Sequence, residues 1–311
     1  MTKYGMPYRG SKQAIADDII AVLPSGKRFI DLFGGGFAMS QCALMSGKYD
    51  KVVYSDYNEP LIRLLRDAFA GQYNYTMFVP EFITREEFFA RKDTDAYVRW
   101  IWSFGNNGKD YLFAKDLEPK KHALHDFVVL NKRCEFVDGL LGKDFELPDA
   151  DIKTRRLAYG RRIKELDKRC DLEHLQQLER LQQLECLEQL EHLERLQGTC
   201  VAKPLDGGAF PDSQLEMICR SYTEYEYEDG DVVYCDPPYD NRKNKRNYYS
   251  CDFDFSAFLD WVATRDYPVY FSSYPIEDGR FELVWNKEKN TAFPAQNNGV
   301  RNLECLYRNK I

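Results

Sequence analysis

The sequence predicts an α/β protein: a largely parallel sheet with flanking helices, interrupted by a mainly helical insert. Three observations carry this. Short apolar runs alternate with helix-like stretches near the start of the chain. The same rhythm returns after residue 213, and the stretch between has a different, leucine-rich and charged composition. Strands alternating with helices imply βαβ units and hence a parallel sheet. At roughly 100–200 residues per domain, a chain of 311 residues suggests two domains, each able to bury its own core.

The first elements follow in order. Residues 12–23 (KQAIADDIIAVL) place Ile15, Ile19 and Val22 on one helical face, and Pro24 ends the helix. Residues 28–33 (RFIDLF) read as a strand broken by Gly34, Gly35 and Gly36, with a helix expected over 37–45. A second strand is expected at 51–55 (KVVYS), ending at Asp56, and a second helix at 61–69. The first third therefore opens a Rossmann-like domain.

The middle changes character. Residues 86–104 read as one helix, followed by a turn at Gly105-Asn106-Asn107-Gly108. Residues 153–169 hold eight basic and two acidic side chains, which makes them a candidate for phosphate contact or a solvated helix face. Residues 172–196 carry nine leucines at strict three-residue spacing, mostly with Glu or Gln between them. A coiled coil needs a period of 3.5. On an α-helix each step of three falls about 60° short of a turn, so the leucines spiral round the axis. They would then want several partners, in their own domain or another subunit; a spacer between two useful parts is the alternative.

Beyond Pro211, strands are expected at 215–220, 231–235 (DVVYC), 269–272 and 303–307, with a helix at 255–263. One α/β domain, residues 1–60 and 213–311, is thus expected around an inserted domain, residues 61–212.

Composition narrows the class. With 44% hydrophobic residues the chain is not expected to be disordered. No run of about 18 apolar residues suggests a membrane span. Residues 1–12 lack the apolar stretch of a secretory signal, so a cytosolic protein is expected. Nine scattered cysteines without a CxxC pair, and only four histidines, point to free thiols and no metal site. The net charge of −7 argues mildly against a nucleic-acid partner, but local patches decide.

Two features carry chemistry. The strand–glycine turn–helix unit lets a ligand approach the backbone. Asp56, ending the next strand about 20 residues on, stands where an acid accepts hydrogen bonds from a ribose. Asp236-Pro237-Pro238-Tyr239 directly follows an apolar strand. Its two prolines offer no N–H donors and leave carbonyl acceptors, Asp236 adds a carboxylate, and Tyr239 adds a flat ring. That set suits a planar base bearing an amino group.

Together these residues resemble the Dam-like family of DNA adenine-N6 methyltransferases. Tyr8-Arg9-Gly10-Ser11-Lys12 is similar to the family's N-terminal motif, and Asp31-Leu32-Phe33-Gly34-Gly35-Gly36 to the motif that cradles S-adenosylmethionine. Asp56 matches the ribose acid, and Asp236 to Tyr239 the catalytic DPPY tetrapeptide. The resemblance implies a Rossmann-like S-adenosylmethionine-dependent methyltransferase sheet with an inserted target-recognition domain, and adenine-specific DNA methyltransferase activity (EC 2.1.1.72). It implies roles for Asp236, Pro237, Pro238 and Tyr239 in catalysis. Tyr8, Lys12, Asp31, Phe33, Gly34, Gly35, Gly36, Asp56 and Asp236 would hold the cofactor.

Double-stranded DNA is the implied partner, its target adenine flipped out against Tyr239. Arg242, Lys243, Lys245 and Arg246 follow the tetrapeptide where a phosphate backbone would pass. Asn106, Asn107 and Lys109 lie where the family's recognition hairpin contacts bases. Near Gly108 the GATC-reading members carry an Arg; here Asp110 and Tyr111 hold the closest positions. Where the family often carries an acid before the catalytic strand, this chain has Ser221-Tyr222, with Glu224 nearest. A bacterial or phage-encoded cytoplasmic enzyme is implied, acting alone or with a cognate restriction endonuclease, with self-association through 172–196 as a further expectation. Cytosine-N4 methylation and a catalytically inactive DNA-binding relative are the alternatives.

Overall fold

The computed structural model describes residues 4–8, 10–167, 184–201, 214–239, 253–288 and 303–311. In chain order the elements are α1 (Ala16–Val22), β1 (Gly26–Asp31), α2 (Ala38–Ser46), β2 (Tyr49–Asp56), α3 (Glu59–Phe69), α4 (Arg85–Arg91), α5 (Ala96–Ile101), α6 (Glu118–Leu130), α7 (Glu135–Leu141) and α8 (Ile152–Asp167). There follow α9 (Glu185–Val201), β3 (Leu215–Cys219), β4 (Asp231–Cys235), α10 (Phe255–Ala263), β5 (Val269–Ser273), β6 (Phe281–Glu288) and β7 (Leu303–Asn309). The chain divides into two compact units: Met1–Gly5, Ser11–Ile62 and Phe210–Ile311 form one, Met6–Gly10 and Arg63–Ala209 the other.

The first unit is built on a seven-stranded sheet of order β3-β2-β1-β4-β5-β7-β6. The first five strands are mutually parallel; β7 runs antiparallel to both β5 and β6. This mixed α/β architecture is the expected fold class. Alternation along each strand sorts side chains to opposite faces. Phe29, Val52, Val232, Tyr234 and Tyr270 join one core with Ile15, Ile19 and Met39. Their neighbours Ile30, Val53, Val233, Cys235, Val269 and Phe271 join the other with Phe255, Phe258 and Val262. Burial on both faces explains the continuous apolar stretches VVYC in β4 and VYF in β5.

Three sequence expectations are corrected. Val22 is exposed, and Ile20 and Leu23 join Ile15 and Ile19 in the core instead. Residues 86–104 are not one helix: Thr84 caps α4 in a capping box with Glu87, and Asp95 caps α5. An aspartate that bonds its own downstream N–H ends one helix and starts another. β6 was not expected, because as an edge strand it buries little and lacks an apolar run.

In the second unit, α9 carries the described part of the leucine-triplet segment; residues 172–183 lie outside the described residues. Leu184, Leu187, Leu190, Leu193 and Leu196 are all at most 1% exposed. Spiralling leucines are thus matched by neighbours around the helix, which makes this stretch core rather than a spacer. The intervening acids meet cations from other helices. Glu185 lies 3.1 Å from the buried Lys121, Glu194 lies 3.4 Å from Lys153, and Glu188 and Glu191 both pair with Arg156. Arg155 and Arg162 donate to the carbonyls of Val129 and Leu141. The basic run of α8 therefore stitches its own unit together, and the described leucines are used intramolecularly.

Candidate active site

Strand order reverses between β1 and β4, which lie side by side while their sequence neighbours fall to opposite sides. In open α/β sheets that switch point, beyond the carboxyl ends of the strands, is where ligands bind. Asp31 ends β1, pairing in register with Tyr234 of β4, and Asp236 follows two residues later.

The glycine turn leaves β1 through three backbone hydrogen bonds: Leu32 N–H to the Tyr234 carbonyl, Gly34 N–H to Ser55, and Phe37 N–H to Gly34. Gly34 is demanded by Tyr54, since a Cβ there would stand 2.1 Å from its ring. That ring cannot retreat: it is fully buried, and its hydroxyl donates to the Gly35 carbonyl at 2.8 Å. Gly35 adopts a φ of 45°, which favours glycine. Gly34→Ala is expected to destabilise the protein by about 2 kcal/mol or more through overpacking. Urea unfolding measures it, and unchanged stability would contradict the tight Gly34–Tyr54 approach.

Three carboxylates line this edge. Asp31 is buried, and Ser40 Oγ donates to it at 2.7 Å. Burial pushes its pKa up to about 7, with Asp236 and Asp56 adding to the effect and the Ser40 hydrogen bond opposing it. Asp56 accepts Gly35 N–H at 2.9 Å and Asn58 N–H at 2.8 Å, and burial raises its pKa too. Because the folded state holds the Asp31 proton more tightly than the unfolded state, stability attributable to Asp31 is full below the unfolded pKa near 4. It is lost as pH rises toward 7. Asp31→Asn is therefore expected to be more stable than wild type at pH 8, by on the order of 2 kcal/mol, with the difference vanishing near pH 4. Thermal unfolding across pH tests this; a constant offset would refute it.

Lys12 is 4% exposed, and its Nζ lies 2.7 Å from both oxygens of Asp236. Nζ donates to Oδ2 and forms an ion pair with the buried Oδ1. Burial raises the Asp236 pKa, the Lys12 ammonium lowers it, and the Glu304 carboxylate adds to the rise. The Tyr239 ring lies under the same ammonium at 4.8 Å and meets Tyr274 edge-on at 4.9 Å. Its hydroxyl donates to Glu304 Oε2 at 2.9 Å. Glu304 was not anticipated from the sequence; an acid inside the apolar LECLY strand was the available signal.

The remaining expected residues separate. Phe33 packs against Tyr222, Phe253 and Phe258 as an aromatic wall beside the turn. Glu224 is consumed locally, accepting Ser221 N–H in a capping box. Tyr8 belongs to the second unit, where its ring lies 5.1 Å from Trp100.

In the turn of that unit, Asn106 is buried and its amide donates to the Trp100 carbonyl at 2.9 Å. Asn107 accepts from Lys109 N–H and Asp110 N–H and donates to the Asp110 carboxylate, so it holds the turn. Lys109 is exposed, and Phe104 is 66% exposed. Arg9, Arg242, Lys243, Lys245 and Arg246 lie outside the described residues. Among the described residues no cluster is placed to hold a metal ion, and no helix is long and apolar enough to cross a membrane.

Residues 8–137 match the family model described as D12 class N6 adenine-specific DNA methyltransferase. The match takes in Lys12, the glycine turn, Asp56 and the Phe104–Asn106 turn; Asp236 to Tyr239 stand beyond it. No curated protein matches the chain at a significant level. The family match supports the Dam-like resemblance and implies DNA adenine methyltransferase activity.

Proposed function

We propose that this chain, which carries the D12 class N6 adenine-specific DNA methyltransferase match, transfers methyl from S-adenosylmethionine to the exocyclic amine of an adenine flipped out of double-stranded DNA. The observation that carries the reading is the Asp236 carboxylate, held at the sheet's switch point with both oxygens 2.7 Å from the Lys12 ammonium and the Tyr239 ring beside it. Each carboxylate oxygen has more than one lone pair, so Asp236 can accept a ligand N–H while keeping its contact with Lys12.

The donor set fits the cofactor. Asp56 accepts backbone N–H groups and keeps acceptor capacity for a ribose hydroxyl. Asp31, whose ionisation burial opposes, gains from a cationic ligand. When bound, S-adenosylmethionine supplies an already activated methyl group. The residues then have to align the acceptor nitrogen. Adenine's amine is a weak nucleophile because its lone pair is delocalised. Asp236 and the Pro237 carbonyl would accept its two N–H groups, draw the nitrogen toward tetrahedral geometry and stabilise the positive charge that develops there. Lys12 favours the ionised form of Asp236 against the effect of burial, and Tyr239 stacks on the base. The second unit, through Lys109 and the turn around it, and the cations Arg242, Lys243, Lys245 and Arg246 would meet the DNA.

The test is methyl transfer from labelled S-adenosylmethionine into duplex DNA by wild type and Asp236→Asn, with the modified base identified by mass spectrometry. N6-methyladenine from wild type alone is expected. Methylated cytosine, or no methylated base despite cofactor binding, would overturn the reading.

A further inference from the structure

Because β7 alone runs against the five parallel strands on its side of the sheet, its first residues arrive at the edge where the others end. Cys305 pairs with Ser273, the last residue of β5. Glu304, one position earlier, is thereby delivered beside the end of β4, and it is only 4% exposed. Strand alternation places it on the same face as Leu306, which belongs to an apolar core. A carboxylate in that setting carries a desolvation cost that a packing role alone does not explain.

We propose that Glu304 is a positioning residue for Tyr239, holding its ring in the plane against which the target base stacks; this rests on the methyltransferase reading above. Pro237 and Pro238 stiffen the backbone that leads to Tyr239 but leave its side-chain torsions free. Three contacts fix them: the hydroxyl on Glu304 at 2.9 Å, the edge against Tyr274, and the Lys12 ammonium over the ring. The hydrogen bond is the directional one of the three, and it is anchored on a sheet strand rather than a loop. Rigid support of a stacking platform lets the base arrive in reacting geometry without ordering the ring at that moment. The carboxylate acts through Tyr239 and touches no reacting atom.

The experiment is a double-mutant cycle on the full chain, following labelled methyl transfer into duplex DNA. Glu304→Met removes the acceptor at similar volume, and Tyr239→Phe removes the donor. Each is expected to lower kcat about tenfold, with the KM for S-adenosylmethionine unchanged. The double variant should be no slower than either single one. Glu304→Gln, which retains an acceptor oxygen, should recover kcat to within about threefold of wild type. Additive losses in the double variant, or wild-type kcat in Tyr239→Phe, overturn the proposal. If Glu304→Met does not fold, Tyr239→Phe and Glu304→Gln still decide it. An active wild type with uncoupled variants sinks this inference alone, whereas a wild type inactive on DNA sinks the methyltransferase reading with it.

Discussion

Asp236→Asn is expected to lower kcat by about 10³-fold, the scale seen when one group stabilising transition-state charge is removed. The substitution preserves shape and one acceptor oxygen. It replaces the other oxygen with an amide N–H₂ and deletes the negative charge. The positive charge developing on the attacking nitrogen then loses its counter-charge where screening by water is weakest. Lys12 simultaneously loses its ion-pair partner at 2.7 Å, so a stability loss is expected as well. Circular dichroism and S-adenosylmethionine binding therefore accompany the rate measurement. A folded, cofactor-binding variant within tenfold of wild-type kcat would remove Asp236 from the mechanism.

Lys12→Met should produce the second-largest effect and a pH signature. In the wild-type protein, burial raises the Asp236 pKa while Lys12 holds it down. Removing the ammonium leaves burial and the Glu304 charge opposed only by the Tyr239 hydroxyl, so Asp236 stays protonated to higher pH. If the ionised carboxylate is the working form, activity falls as pH drops through that pKa, and the acid limb of kcat/KM moves to higher pH. A loss of roughly 10²-fold at pH 7 is expected, partly recovered at pH 9. Stability has the opposite dependence. Asp236 with a raised folded pKa contributes stability that is full at low pH and is lost as pH rises, so the variant's deficit should grow with pH. Paired pH–rate and pH–stability profiles check both signs; an acid limb that stays put would show that Lys12 does not tune Asp236.

The local motifs were readable because each is contiguous and rests on backbone chemistry. Glycines at 34 and 35, two prolines after a buried strand, and an acid ending β2 announce themselves within a few residues. The partners of those motifs were not readable. Lys12 finds Asp236 across 224 residues, and Tyr239 finds Glu304 across 65. Nothing in the residue types near Lys12 distinguishes an ion pair with Asp236 from a reach toward a ligand. Asn106 shows the same limit from the other side. An amide in a Gly-Asn-Asn-Gly turn suits a base edge, and only the folded chain shows that the Asn106 amide is buried against the Trp100 carbonyl.

The sequence by itself determined the alternation of strands and helices, the glycine turn and the Asp-Pro-Pro-Tyr tetrapeptide, since periodicity and backbone restriction act over a handful of residues. Tertiary structure decided which leucines of the triplet segment become core, which cations of α8 are spent on neighbouring acids, and that β7 enters antiparallel with a buried glutamate at its start. Those outcomes depend on strand order and on which desolvated charges meet. Hydrogen bonds and ion pairs between distant residues exist only once the sheet has brought them within about 3 Å of each other.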